Sequence, residues 1–498
     1  MSGKVVLVGA GPGDPGLLTI KGRRAIEAAD VVVCDRLVSP VLRNMIPATA
    51  EMIDAGKRAS HHPVPQEEIN RILVEKALEG KRVVRLKGGD PFLFGRGGEE
   101  IEALITNSIE FEVVPGVTSA IAVPAYGGIP VTHRDCCSSL HIITGHARGG
   151  EELNIDYEAL IRTGGTLVFL MGVTAAGEIC KGLADAGMSP DMPACMIEQG
   201  TLPLQRRVDS TVEGLPVAAQ REGIQSPAII VIGQVCTLAD SFDWYGRLPL
   251  KGKSVVVTRP RERTGTLVHR LLDLGARVLE YPCIETIPIE PCPALEEALT
   301  QISEYEWLAL TSPAGAELVV NTLYARGVDA RALGGVKLAA IGGGTAAELK
   351  KCGLVADFVP ESYSAGELGR ELGSRVQGKV LIARAENGSP DLTAEFDRAG
   401  VSYDDIPIYR TAYRSGEREA LRELMSGNEK CIVTFTSAST VRGFAESAGK
   451  DFSLDRVIGI CIGHQTAAEA ARYGIETTVA ERATIDDLIK AVLVKVGE

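Results

Sequence analysis

The sequence lacks the features that would place the protein outside the cytoplasm or on a nucleic acid. Its 11 cysteines include no CxxC pair and are scattered through apolar runs, which is typical of buried thiols in a reducing compartment. No stretch approaches the ~18 uninterrupted apolar residues of a membrane span, and Val5–Val8 is too short for the apolar core of a secretory signal. The net charge of -13 argues against a general nucleic-acid or anionic-membrane surface. We therefore expect a soluble cytoplasmic protein with no nucleic-acid or membrane partner.

Clusters of metal-ligating residues are also scarce. The pairs His61-His62 and Cys136-Cys137 have no further partner at ligand spacing. A surface turn and a packed strand end explain them better than a metal, so we expect no metal site.

The sequence does have length and apolar content. A chain of 498 residues with 45% hydrophobic content predicts roughly three domains. Both halves alternate short apolar runs with amphipathic stretches, which is typical of α/β sheets. The less patterned stretch Leu238–Lys253 predicts a boundary between a domain at 1–245 and another at 250–498.

The stretch Val83–Glu100 is the most informative in the first half. A short apolar run with β-branched residues at its start predicts a buried strand, and it leads directly into Gly88, Gly89 and Asp90. Paired glycines after a strand let a ligand approach the backbone, and open α/β sheets bind ligands at the carboxyl ends of their strands. A glycine-rich surface turn is the alternative for this stretch taken alone.

The first glycine loop matches a dinucleotide fingerprint in form only. Gly11, Gly13 and Gly16 follow the GxGxxG spacing, and Asp35 comes about 20 residues later. Pro12, however, has no N–H to give to a pyrophosphate, and a second proline lies within the same loop. A rigid loop ahead of a helix is the better interpretation, and a dinucleotide oxidoreductase is the rival hypothesis for this half.

The second half contains an internal repeat. Val255–Arg259 aligns with Val380–Arg384, and Thr311-Ser312 aligns with Thr436-Ser437 in the same register. Two copies are too few for a solenoid and predict two similar α/β lobes that face each other across a cleft.

A resemblance to a known family rests on five motifs that cover nearly all of residues 1–240 in order. They are Val6–Thr19, Cys34–Ser39, Val84–Pro91, Pro115–Ala120 and Gly128–Arg134. Together they resemble the tetrapyrrole (corrin/porphyrin) methylases, and among these the uroporphyrinogen-III C-methyltransferases. The resemblance implies the two-subdomain tetrapyrrole methylase fold, S-adenosylmethionine as methyl donor and a homodimer formed through this domain.

The resemblance also implies a donor site and two residues that handle protons. The residues implied to hold S-adenosylmethionine are Pro12, Gly88, Gly89, Asp90, Leu93, Thr118, Ser119, Met171 and Gly200. Asp35 occupies the position of a proton acceptor and Lys57 that of a proton donor. For Asp35 the alternative is a helix N-cap, and for Lys57 it is a carboxylate clamp or a solvated surface lysine.

The substrate would carry many carboxylates, which arginine side chains bind in a bidentate manner. The candidates in the first half are Arg36, Arg58, Arg85 and Arg134. Some of them must simply be surface arginines.

The repeated half resembles uroporphyrinogen-III synthase across about residues 253–490. The resemblance rests on Val257–Pro260, Ile408–Thr411, Phe435–Ser437 and Ile462–Ala467. It implies a bilobed fold with hydroxymethylbilane in the cleft, one lobe made of 253–285 with 412–498 and the other of 288–408.

Hydroxyls and helix N-termini in this half are candidates for binding the acid side chains of such a substrate. The predicted substrate-binding residues are Ser312, Thr345, Ser437 and Thr466. Helix capping is the alternative for these hydroxyls. Tyr409 matches the family's tyrosine near the leaving hydroxyl, where it could donate a proton, and its alternative is ordinary packing between the lobes.

The two resemblances together predict a bifunctional enzyme. The second half would close hydroxymethylbilane to uroporphyrinogen III, with inversion of ring D and loss of water. The first half would transfer two methyl groups from S-adenosylmethionine to C2 and C7 of that product, which gives precorrin-2 for sirohaem or cobalamin. The alternative is an active methyltransferase joined to a non-catalytic bilobed module that binds tetrapyrroles.

Overall fold

Short apolar strands alternate with amphipathic helices through the chain, and the computed structural model arranges the strands in four five-stranded sheets. The structure describes residues 3–56, 64–146, 153–259, 265–414, 418–425, 430–448 and 452–497. They form two compact units, Met1–Gly252 and Lys253–Glu498, and each unit contains two sheets. The predicted α/β class is confirmed.

The first sheet is wholly parallel, with strand order β3-β2-β4-β1-β5. Its strands are β1 Lys4–Gly9, β2 Val31–Cys34, β3 Glu51–Asp54, β4 Arg82–Lys87 and β5 Glu110–Val114. The helices between and after them are α1 Ile20–Glu27, α2 Pro40–Arg43, α3 Gln66–Leu78, α4 Gly97–Thr106 and α5 Ser119–Tyr126. The three central strands β2, β4 and β1 are almost entirely buried, because apolar clusters pack on both faces of the sheet.

The second sheet of the first unit is mixed, with order β6-β7-β10-β8-β9. Its strands are β6 Leu140–Thr144, β7 Thr166–Leu170, β8 Pro193–Glu198, β9 Arg206–Thr211 and β10 Ala228–Ile232. Its helices are α6 Tyr157–Thr163, α7 Ala176–Asp185 and α8 Leu215–Arg221. Only β6 and β7 run parallel, and the other three pairs are antiparallel.

The second unit contains the strands and helices of the internal repeat. Its strands are β11 Ser254–Val257, β12 Arg277–Glu280, β13 Ile284–Pro288, β14 Tyr305–Leu310, β15 Lys337–Ala340, β16 Lys379–Ala385, β17 Ser402–Tyr413, β18 Cys431–Phe435, β19 Val457–Cys461 and β20 Glu476–Val479. Its helices are α9 Gly265–Asp273, α10 Pro293–Thr300, α11 Pro313–Ala325, α12 Gly343–Lys351, α13 Ala365–Gly373, α14 Asp391–Ala399, α15 Arg418–Met425, α16 Ala438–Ala448, α17 His464–Arg472 and α18 Ile485–Gly497.

Corresponding strands of the repeat occupy corresponding places in two sheets. One sheet has the order β12-β11-β18-β19-β20, and the other has β13-β17-β16-β14-β15. Strands β12, β11, β18 and β19 therefore match β17, β16, β14 and β15. The second lobe is entered through β13 and left through β17, which pair antiparallel between Ile284 and Tyr413 at one end and Pro288 and Tyr409 at the other.

Long apolar helices are absent from the described part of the chain. None of the helices there has both the length and the hydropathy needed to cross a membrane.

Candidate functional site

Three backbone segments meet at the carboxyl edge of the first sheet, where β4, β1 and β5 end side by side. A Cβ atom built on Gly116 would lie 2.2 Å from the Gly89 carbonyl oxygen and 2.7 Å from Gly9 Cα. A Cβ atom on Gly9 would lie 2.5 Å from Gly116 Cα. Only glycine allows these backbones to approach so closely.

The Gly89 backbone is bound on one side and open on the other. Its N–H donates to the Gly11 carbonyl at 2.8 Å, and the Gly11 N–H donates back to the Gly89 carbonyl at 3.2 Å. Gly89 has a φ of +67°, which favours glycine, and a Cβ built there would have no heavy atom of the described residues within 4 Å. A ligand could therefore contact the Gly89 backbone directly, whereas a Cβ built on Gly88 would lie 2.9 Å from Leu37 Cβ.

Asp90 joins the β4 loop to the β5 loop. Its Oδ1 accepts from the N–H groups of Phe92 at 2.9 Å and Leu93 at 3.2 Å, and its Oδ2 accepts from the N–H of Gly116 at 3.1 Å. Each oxygen keeps some acceptor capacity, because a carboxylate offers about four lone-pair sites. Asp90 thus anchors the loop through backbone bonds, whether or not it also contacts a ligand.

Thr118 and Ser119 lie at the start of α5, directly after the Gly116 loop. Thr118 is the N-cap of the helix, and its hydroxyl accepts from the Ala120 N–H at 3.2 Å. Both residues are half-buried. The N–H groups of Ala120, Ile121 and Ala122 all bond to Thr118, so this threonine holds the first turn of the helix in place.

The loop that follows β8 of the second sheet contacts α5 and the first glycine loop. Gly200 packs on α5, since a Cβ built there would lie 2.2 Å from Val123 Cγ1. The neighbouring Thr201 accepts from the Asp14 N–H at 3.2 Å, and the Tyr126 hydroxyl donates to Asp14 Oδ2 at 2.6 Å. These bonds fix the first glycine loop, which includes the half-buried Pro12.

Met171 is placed at the end of β7 with a left-handed backbone, φ 57°, and its side chain is half exposed. Leu93 is partly buried against the apolar cluster of the second sheet. The structure therefore brings together Pro12, Gly88, Gly89, Asp90, Leu93, Thr118, Ser119 and Gly200 through direct contacts or neighbouring loops. For Met171, the only link to these residues is its position at the end of a strand.

Asp35 follows β2 at the same carboxyl edge. Its N–H donates to the Leu86 carbonyl at 2.9 Å, and its side chain is 35% exposed. The helix that follows, α2, has Ser39 as its N-cap, so Asp35 does not cap it. Lys57, predicted as proton donor, and Arg58 lie outside the described residues.

The predicted carboxylate-binding arginines differ in their placement. Arg36 and Arg134 are exposed. Arg85 is 2% exposed, and its Nε lies 3.0 Å from Glu100 Oε1, so it belongs to the interior and the prediction of a substrate clamp is wrong for it.

Arg85 belongs to a buried group of charges that was not predicted from the sequence. Lys87 is 3% exposed and Glu100 fully buried, and Lys87 Nζ donates to Glu100 Oε1 at 2.8 Å. Burial and the positive charge of Arg85 lower the pKa of Lys87, although Glu100 opposes this. The signal was the presence of two basic residues at alternate positions of a strand whose other inner positions are apolar.

In the second unit, the structure brings together two residues that were predicted separately. The Tyr409 hydroxyl donates to Ser312 Oγ at 2.8 Å, and Ser312 Oγ accepts from the Gly315 N–H at 2.9 Å as the N-cap of α11. Tyr409 is 7% exposed. The serine therefore caps a helix, as the alternative for it stated, and at the same time holds the phenol.

The other candidate hydroxyls of this unit are less accessible. Thr345 and Thr466 are 2% and 5% exposed inside α12 and α17. Ser437 is half-buried, and its hydroxyl accepts from the Thr440 N–H at 3.2 Å. Tyr363, which the sequence analysis did not single out, is 46% exposed and packs against Gly342 at the start of α12.

Metal-ligating side chains do not gather in the part of the chain that the structure describes. No three His, Cys, Asp or Glu side chains there could hold a metal ion. Cys136 and Cys137 are half-buried, with Cys137 Sγ 3.1 Å from Thr166 Oγ1, and His61-His62 lie outside the described residues.

Two family models match the chain. They are the tetrapyrrole (corrin/porphyrin) methylases over residues 4–216 and uroporphyrinogen-III synthase HemD over residues 265–490. The porphyrin biosynthesis protein HemD of Ruminiclostridium josui is 49% identical over 493 residues, which cover 99% of this chain and 98% of that protein.

Two further relatives match parts of the chain. The uroporphyrinogen-III C-methyltransferase of Bacillus subtilis strain 168 is 43% identical over 363 residues, 72% of this chain and 74% of that protein. A solved structure of uroporphyrin-III C-methyl transferase from Thermus thermophilus, complexed with S-adenyl homocysteine, is 40% identical. It covers 47% of this chain and 100% of that chain, with a TM-score of 0.41.

Proposed function

The chain belongs to the tetrapyrrole methylases through its first unit and to the uroporphyrinogen-III synthases through its second, and we propose how its own residues carry out the two reactions. It is a bifunctional enzyme of tetrapyrrole biosynthesis. The second unit cyclises hydroxymethylbilane to uroporphyrinogen III, with inversion of ring D and loss of water. The first unit transfers two methyl groups from S-adenosylmethionine to C2 and C7 of that product, giving precorrin-2.

The open side of the Gly89 backbone is the observation that carries the proposed donor site. When bound, S-adenosylmethionine supplies an electrophilic methyl group. Gly88 and Gly89 would contact it through the backbone, with Asp90 and Leu93 holding their loop in place. Around them, Pro12, Thr118, Ser119, Met171 and Gly200 would complete the pocket and exclude water.

Asp35 is proposed as the proton acceptor. Methylation of an electron-rich pyrrole carbon leaves a positive charge on the ring, which is discharged when a proton departs. Asp35 lies at the carboxyl edge beside the β4 loop, partly exposed, where a carboxylate could take that proton. The role of Lys57 stays a prediction, and the two roles considered are proton donor and carboxylate clamp.

Tyr409 is proposed as the proton donor of the second reaction. As the bilane closes, its terminal hydroxyl leaves as water and needs a proton. The Tyr409 hydroxyl, held by Ser312, supplies that proton and regains one from the ring that loses it. Substrate carboxylates would bind at four helix starts, those at Ser312, Ser437, Thr345 and Thr466. Because Thr345 and Thr466 are buried, the contacts at their helices would come chiefly from backbone N–H groups.

The exposed arginines Arg36 and Arg134, together with Arg58, are proposed to bind carboxylates of uroporphyrinogen III near the donor site. A homodimer through the first unit and a cytoplasmic location stay predictions.

One experiment tests both activities. The full chain is given hydroxymethylbilane and S-adenosylmethionine without oxygen, and the products are separated by isomer and weighed. We expect a type III macrocycle with two added methyl groups. If only the spontaneous type I isomer forms, the second unit is a binding module without catalysis, and if no methyl group is added, the proposed donor site is wrong.

A further inference from the structure

The first unit contains a buried group of charges that neither proposed reaction uses directly. Three donors converge on one oxygen, Glu100 Oε1: Arg85 Nε at 3.0 Å, Lys87 Nζ at 2.8 Å and Gln66 Nε2 at 3.2 Å. Arg85 and Lys87 are 2% and 3% exposed, and Glu100 is 0% exposed. A fully buried carboxylate with charged partners is costly to build, so it calls for an explanation.

The group is not neutral by itself. Two cations share one carboxylate, which leaves a positive charge in an apolar interior unless a further anion balances it. That anion is Asp35, whose Oδ1 lies 3.8 Å from Arg85 Nη2. Of the four charged residues in this group, Asp35 alone is not buried, with 35% of its side chain exposed.

Every nitrogen of the Arg85 guanidinium has a separate partner. Nε faces Glu100, and Nη1 faces the backbone carbonyls of Val33 at 3.4 Å and Leu86 at 3.5 Å. Nη2 is therefore the corner turned toward Asp35. Because the guanidinium is planar, fixing Nε and Nη1 also fixes the direction of Nη2.

We propose that Glu100 is a positioning residue for methyl transfer, which holds Arg85 so that Arg85 in turn orients the Asp35 carboxylate toward the substrate. The proposal rests on the proposed role of Asp35 as proton acceptor. The proton that leaves the methylated ring goes to Asp35, while Glu100 and Arg85 exchange no proton and touch no substrate.

The geometry of Glu100 makes a clean substitution available. All three donors bind Oε1, and Oε2 has no hydrogen-bond partner among the residues that the structure describes. In Glu100→Gln the amide oxygen can take the place of Oε1 and the NH₂ group that of Oε2, where it meets no competing donor. The variant thus keeps the shape but replaces a charged acceptor by a neutral one, whose hydrogen bonds to Arg85 and Lys87 are about half as strong and hold Arg85 less firmly.

The test measures single-turnover methylation of uroporphyrinogen III by the full chain, together with S-adenosylhomocysteine affinity and Tm. Glu100→Gln is expected to slow methylation at least 10-fold while the affinity for S-adenosylhomocysteine stays within about threefold. Glu102→Gln, an exposed position on the same helix, is the matched control and should behave as the parent chain. In an Asp35→Asn background, Glu100→Gln should cause no further slowing, because Glu100 acts through Asp35.

The results distinguish the positioning role of Glu100 from the proposed role of Asp35 as proton acceptor. If Asp35→Asn methylates at the parent rate, the proposed proton acceptor is wrong. If Asp35→Asn is slow but Glu100→Gln is at the parent rate, or slows the double variant as much as it slows the parent chain, the positioning role is overturned. Should Glu100→Gln fail to fold, Glu100→Asp keeps the charge but withdraws the carboxylate from Arg85. It should also be slow, and a parent rate there would show that charge alone is needed and overturn the proposal.

Discussion

Replacing Gly116 by alanine should disable the donor site through a single methyl group. Its Cβ would lie 2.2 Å from the Gly89 carbonyl oxygen and 2.7 Å from Gly9 Cα, both of them backbone atoms. Ordinary contact needs ~3.5 Å, so the two loops would have to separate by roughly 1 Å. That shift would lengthen the two hydrogen bonds between Gly11 and Gly89, of 2.8 and 3.2 Å, and the 3.1 Å hydrogen bond from the Gly116 N–H to Asp90.

The expected cost has two parts. Overpacking at a rigid position destabilises by about 1–3 kcal/mol, and a displacement of about 1 Å at a binding site can cost on the order of 10²-fold in rate. We therefore expect Gly116→Ala to lower the free energy of unfolding by about 2 kcal/mol. It should also weaken S-adenosylhomocysteine binding, and slow methyl transfer by on the order of 10²-fold.

Calorimetric titration with S-adenosylhomocysteine and urea denaturation of the full chain measure both effects. Gly98→Ala is the matched control, since a Cβ built on Gly98 has no heavy atom within 4 Å and the residue lies in the first turn of α4. It should bind normally and be as stable as the parent chain or slightly more stable. Parent affinity and stability for Gly116→Ala would refute the close-approach reasoning.

Other substitutions examine the loop anchor, the second active site and a charged helix start. Asp90→Asn should lose at least one of three backbone bonds, because an amide has one oxygen, and urea denaturation should show a loss of about 1–2 kcal/mol. Tyr409→Phe removes the hydroxyl bound to Ser312, so uroporphyrinogen isomer analysis should show a loss of type III product while methylation of supplied uroporphyrinogen III is unchanged. Lys490 and neighbouring donors hold the pKa of Asp487 at about 2, below its ordinary value of 3.8. This carboxylate stabilises the fold above pH ~4 and loses that effect as the pH falls toward 2, so Asp487→Asn should lower Tm at pH 7 but not at pH 2.

Local pattern was sufficient to predict the strand-to-glycine junctions. The run before Gly88 contains Val83, Val84 and Leu86 and ends in glycines, which marks both the strand and the end at which a ligand can approach. Edge strands are harder to predict from pattern, because β3 Glu51–Asp54 and β9 Arg206–Thr211 carry too few apolar residues to form a run.

Pairings over long separations could not be predicted from the residues alone. Tyr409 and Ser312 are 97 positions apart in the chain. They meet because β17 and β14 both pair with β16, which places the two strands in the same part of one sheet. Arg85 was one of four arginines considered as partners for substrate carboxylates, because arginine binds carboxylates in a bidentate manner. Its burial depends on Glu100, which only the packing of α4 against the sheet brings near.

The two antiparallel strands β13 and β17 determine how the lobes of the second unit can move. Any change in the angle between the lobes has to bend this two-stranded ribbon. Such a ribbon bends more easily out of its own plane than within the plane, and it hardly stretches. Tyr409 lies on the ribbon at the point where β17 leaves β16 and pairs with β13. Any bending of the ribbon would therefore act on the stretch of chain that carries the proposed acid, and a change in the angle between the lobes would move the phenol.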